Sequence, residues 1–148
     1  MLVLATLTPF IIACGPDPSA PTGDAASTPG DLRAVRNPYT GDADAIAQGE
    51  QLFAAKACSS CHGATAAGAM CPSLVNDTWV YGSDDTTLFN LIRLGSSGLQ
   101  ARGRTRIGHE PQVGDMPPFS SVVSDDEAWK LIAYVRSKYT GDPALRNW

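Results

Sequence analysis

Apolar residues recur at helical spacing in three stretches of this chain. In DADAIAQGEQLFAAKA, residues 42–57, Ile46, Gly49, Leu52 and Phe53 fall three to four apart and predict an amphipathic helix. In SDDTTLFNLIRLG, residues 83–95, Ser83 is placed to cap a second helix. Asp84 and Asp85 favour its positive end, and Gly95 is placed to stop it. In SDDEAWKLIAYVRSKY, residues 124–139, Ser124 and Glu127 spell a capping box, and Leu131, Tyr134 and Val135 share one face. No run alternates with the period of a strand, so the predicted class is all-α. Long Gly- and Pro-rich loops join the helices, too long for a well-filled small domain. A large apolar cofactor is expected to occupy the centre.

The N-terminus follows a different pattern. MLVLATLTPFIIAC is uncharged and apolar up to Cys14. That is shorter than the roughly 20 residues a membrane-spanning helix needs, and it fits the apolar region of a signal peptide. Ile11-Ile12-Ala13-Cys14 resembles a bacterial lipobox, which predicts a lipoprotein-type signal over residues 1–13 and lipidation of Cys14. Residues 14–37 are rich in Pro, Gly, Ala, Ser, Thr and Asp and read as a flexible linker. The folded domain is then expected over 38–148. This arrangement predicts export to the periplasmic or cell-surface side, with the chain tethered to a membrane by its lipid. In such compartments paired thiols oxidise and c-type haem is attached.

A length of 148 residues allows about one domain. The net charge of −4 argues against nucleic acid as a partner.

Three of the chain's four cysteines fall in ACSSCHGATAAGAMC, residues 57–71. Zinc could draw on Cys58, Cys61, His62 and Cys71. However, Cys61 and His62 are adjacent, and structural zinc sites use two separated pairs. A dithiol redox motif needs a strand–helix unit that is not visible here. The remaining reading is C-x-x-C-H, the attachment signature of c-type haem. In it Cys58 and Cys61 carry thioethers and His62 binds the iron. Cys71 is left as an odd thiol, expected to be a small buried residue without chemistry. A second axial ligand is expected in QVGDMPPF. Met116 offers a soft thioether in a loop stiffened by prolines. Met70 is too near the anchor, and His109 is the runner-up.

These residues together resemble the class I cytochromes c over residues 44–139. The resemblance rests on GEQLFAAKACSSCHG, the MPPF loop and WKLIAYVRS. It implies a small helical bundle wrapped round one covalent haem. It also implies cross-packing of Gly49 and Phe53 against Leu131 and Tyr134. A Pro-x-Leu segment, matched by Pro72 and Leu74, implies a Pro72 carbonyl that orients His62. NDTWVYGSDDTTLFNLI and the tail YTGDP further resemble cytochrome c-L. That narrower resemblance implies electrons from a periplasmic methanol or other alcohol dehydrogenase that uses pyrroloquinoline quinone, passed on to a cytochrome or oxidase.

The expected function is therefore one-electron transfer by a monomeric carrier rather than an enzyme. Two alternatives remain at this point. The chain could be a haem subunit of another respiratory oxidoreductase, or a small-ligand sensor if Met116 does not bind iron. Trp79 and Tyr81 are expected to pack against the cofactor. Arg102, Arg104 and Arg106 form a solvated basic loop, or one of them, taken as Arg104, pairs with a haem propionate.

Overall fold

The computed structural model describes residues 35–111 and 114–148. Among these the chain forms four α-helices, one short 3-10 turn and no strand, in keeping with the patterning. Helix α1 (Ala43–Ala55) opens at Asp42, whose carboxylate accepts the Ala45 N–H at 2.8 Å. Lys56 closes it. Ala57 then adopts a left-handed conformation (φ 61°) before α2 (Cys58–His62), the helical turn that carries the cysteine motif. For a residue with a Cβ this conformation costs about 1 kcal/mol. It also keeps α1 and α2 from merging into one straight helix.

Helix α3 (Asp85–Gln100) departs from expectation at both ends. Asp84, not Ser83, is its cap, with a carboxylate oxygen 2.9 Å from the Thr87 N–H. Ser83 is buried, and its hydroxyl donates instead to Asn147 at 2.8 Å. Its carbonyl accepts from Arg136 at 2.7 Å. Gly95 does break the helix, at φ 69° and ψ 175°, but helical turns resume at once and run to Gln100. Helix α4 (Asp125–Ser137) begins with the predicted capping box: the Ser124 hydroxyl accepts the Glu127 N–H, and Glu127 accepts the Ser124 N–H.

The core lies where α1 crosses α4. Phe53, Leu131 and Tyr134 are nearly inaccessible, and the Phe53 and Tyr134 rings meet at 5.3 Å. Gly49 makes the crossing possible, because a Cβ there would sit 2.2 Å from the Lys130 carbonyl oxygen. The cross-packing implied by the resemblance is therefore present. Phe89 of α3 stacks on Trp129 of α4 at 4.2 Å, and the buried Arg136 pairs with Asp85. The tail returns through the 3-10 turn (Pro143–Leu145) and lays Trp148 edge-on against Trp79, 6.1 Å between centroids.

The predicted linker ends earlier than residue 37. The Val35 N–H reaches the Thr86 hydroxyl at 3.1 Å, and the buried Asn37 bonds both Asp85 and the Trp129 carbonyl at 2.9 Å. Sequence composition could not show this docking, because the partners lie on α3 and α4. The predicted signal segment, Cys14 and the rest of the linker lie outside the described residues. Among the described residues no helix is long and apolar enough to cross a membrane.

Candidate haem site

A cleft with two adjoining lobes opens among α2, α3, α4 and the loops between them. His62, Leu74, Trp79, Leu88, Leu91 and Met116 line both lobes. The first lobe, about 640 Å³, is almost wholly apolar. Cys58 enters it from α2, and Phe53, Ile132 and Val135 complete its wall. The second lobe, about 530 Å³, adds Pro72, Ser73, Thr78, Tyr81 and Ser96, and so brings hydroxyl groups to the cleft.

His62 is set for metal binding. One ring nitrogen, Nδ1, lies 2.8 Å from the Pro72 carbonyl oxygen, an acceptor that requires Nδ1 to carry the proton. The lone pair is thereby left on Nε2, and the ring is held in one orientation. Burial lowers the His62 pKa below its ordinary value, while the Pro72 bond opposes this. The neutral ring, the form that ligates metals, is favoured.

Met116 comes from the loop before α4 and lines both lobes alongside His62, although nothing near in sequence links the two. Trp79 lines both lobes, and its indole is buttressed by Trp148 rather than joined to a polar partner. Tyr81 is buried at the second lobe. Its phenol oxygen accepts from Gln100 Nε2 at 2.5 Å and from Arg106 Nε at 3.2 Å. With both donors spoken for, the phenol proton is left to donate elsewhere.

Other predicted residues sit apart. Arg104 lines neither lobe; it is Arg106, two residues on, that reaches Tyr81. His109 is exposed and off the cleft. Cys61 is half-buried and does not line it, and its carbonyl accepts the Cys71 N–H at 3.0 Å. Cys71 is half-buried rather than buried, because the loop that doubles back on Cys61 leaves its side chain at the rim. Partial burial, with Cys61 beside it, pushes the Cys71 thiol up to about 11. In the haem-free chain, where Cys61 is still a thiol, Cys71 at pH 8 is thus expected to react with iodoacetamide more than tenfold more slowly than an ordinary cysteine of pKa about 8.5. Alkylation at the rate of a short cysteine peptide would contradict that.

Sequence reasoning did not find Leu88, Leu91 and Ile92. Their helical spacing is visible, but the fact that this face of α3 meets the cleft is not. It also missed Ser96, which bonds Asp115 19 residues on and the Met116 backbone 20 residues on, and with it Asp115.

These residues fit a haem. An apolar lobe beside a cysteine and a lobe bearing hydroxyls suit a flat apolar macrocycle with two carboxylates. His62 and Met116 supply a nitrogen and a sulfur of the kind that bind its iron.

Comparison with known proteins agrees. The family model described as cytochrome c oxidase, cbb3-type, subunit III matches residues 44–135, more than half of the chain. Cytochrome c-L of Methylorubrum extorquens is 33% identical over 119 residues, 79% of this chain and 52% of that protein. The cbb3-type cytochrome c oxidase subunit CcoP of Rubrivivax gelatinosus is 31% identical over 103 residues, 69% of this chain and 28% of that protein. The crystal structure of cytochrome cL from Methylophaga aminisulfidivorans superposes with a TM-score of 0.58 at 32% identity. That match covers 75% of this chain and 64% of the other. The chain thus spans about half the length of the cytochrome c-L it matches. The helical architecture, the cleft and these matches lead to one conclusion: the chain belongs to the class I c-type cytochromes, within the family described by cbb3-type oxidase subunit III.

Proposed function

We propose that the protein carries one electron at a time on a single haem c, held by thioethers from Cys58 and Cys61 and ligated by His62 and Met116. The observation that carries this reading is the meeting of His62, fixed by Pro72, with Met116 and Cys58 around one apolar cleft. When bound, the haem supplies a one-electron iron couple at which a soft thioether favours the ferrous state. The chain's residues do the rest. Pro72 holds the His62 proton on Nδ1. Leu88, Leu91, Ile132 and Val135 keep water from the metal ligands. Tyr81, steadied by Gln100 and Arg106, offers a donor suited to a propionate. With His62 and Met116 both holding the iron, no position would be left on it for a substrate.

The donor we propose is an alcohol dehydrogenase that uses pyrroloquinoline quinone, methanol dehydrogenase among them, and the acceptor a downstream cytochrome or oxidase. The likeness to cytochrome c-L supports this. The net charge of −4 suits transient docking steered by charge. We place the working protein outside the cytoplasm as a monomer tethered through a lipid on Cys14, a reading carried by the sequence pattern. The match to an oxidase subunit supports a second reading, a haem module that acts within a larger oxidoreductase.

The test mixes oxidised holo-protein with such a dehydrogenase and its alcohol and follows the haem absorption. One electron is expected per chain, at a rate that changes with ionic strength. Failure to be reduced in solution, together with co-purification in an oxidase complex, would favour the second reading.

A further inference from the structure

We propose that Ser96 and Asp115 are positioning residues that hold the Met116 sulfur against the iron. The proposal rests on the assignment of Met116 as axial ligand.

Ser96 is only 2% exposed and bonds both backbone polar groups of Met116. Its N–H donates to the Met116 carbonyl at 2.9 Å, and its hydroxyl oxygen accepts the Met116 N–H at 2.9 Å. The hydroxyl proton goes to Asp115 Oδ1. A serine hydroxyl has one proton and lone pairs on the same oxygen. Committing the proton to Asp115 therefore turns a lone pair toward the Met116 N–H. Ser97 holds the same carboxylate through its own hydroxyl, at 3.1 and 3.2 Å. Without that carboxylate, the Ser96 hydroxyl is free to swing its proton toward the Met116 carbonyl, 3.5 Å away, and the amide bond weakens.

The loop has few other anchors. Pro117 and Pro118 have no N–H to donate. From Met116 to Phe119 the only backbone donors are these two residues' own, and Phe119 is used on the Ile92 carbonyl at 2.9 Å. The Met116 N–H is thus the one main-chain donor that the ligand itself offers, and Ser96 takes it. Gly95 lets the loop close this tightly. At φ +69° it lies so near the loop that a Cβ would sit 2.5 Å from the Met116 carbonyl oxygen. The clamp thus joins the break in α3 to the ligand, through side chains that nothing in the haem motif requires.

The experiment uses holo-protein with Asp115→Ala, Asp115→Asn and Ser96→Ala. The readouts are the long-wavelength Met–iron absorption band and the concentration of added imidazole that displaces the methionine. Asp115 is exposed, so its replacement leaves the core intact. Loss of one hydrogen bond to a charged group is expected to make imidazole displace Met116 at about tenfold lower concentration in Asp115→Ala and Ser96→Ala. The band should weaken in parallel. Asp115→Asn keeps an oxygen that accepts the Ser96 proton and is expected to stay within about twofold of wild type on the same scale. Alanine variants that match wild type would overturn the clamp. So would asparagine and alanine variants that lose the band equally, since charge rather than hydrogen bonding would then be the cause. A wild-type protein without the band would instead overturn the Met116 assignment itself.

Discussion

Replacing Gly49 with alanine is expected to destabilise the holo-protein by about 3 kcal/mol, at the upper end of overpacking effects. The added methyl would lie 2.2 Å from the Lys130 carbonyl oxygen and 2.8 Å from both the Lys130 carbonyl carbon and the Tyr134 Cβ. None of these atoms is the end of a flexible side chain, so α1 and α4 must part. Their separation would part the Phe53 and Tyr134 rings and loosen the apolar lobe that both Phe53 and Leu131 line. Denaturant unfolding followed by circular dichroism measures the effect. A midpoint equal to wild type would show that the crossing is not as close as described.

The second large effect is expected for Cys58→Ser combined with Cys61→Ser. The double variant should lose its haem on acidified-acetone extraction, whereas the parent chain should retain it and show the added mass of one haem. Far-UV helicity should fall as well. The first lobe is about 640 Å³ and lined almost wholly by apolar groups. Without the ring these apolar groups face water, which forfeits about 25 cal/mol per Å² of apolar surface left uncovered, against a total stability of roughly 5–15 kcal/mol for a domain. On the proposed reading the cofactor completes the core, and that would allow long loops between so few helices. A double variant that kept haem through extraction would place the covalent bond elsewhere.

Features whose cause lies within a few residues were legible in the chain. Ser124 and Glu127 are three apart, and the box they form is present. Gly49 was legible by resemblance to a known packing, and Pro72 was found the same way. What escaped depends on partners far along the chain. Ser83 looks like a cap until Asn147 and Arg136 claim its polar groups. Gly95 looks like a stop because its conformation is visible as a glycine preference. The turns beyond it are held by Ser96 bonding a loop some twenty residues on. Among the alternating arginines nothing local favours Arg106 over Arg104, and the choice is made by the position of Tyr81. Asp115 reads as an ordinary loop acid until its contact with Ser96 is seen.

The account stands on His62 and Met116 sharing one iron. The most direct measurement is the absorption spectrum of the oxidised wild-type holo-protein, set beside that of Met116→Ala. A low-spin spectrum with a weak long-wavelength Met–iron band, lost in the variant, is the expected result. A high-spin five-coordinate spectrum, identical in the two proteins, would contradict it.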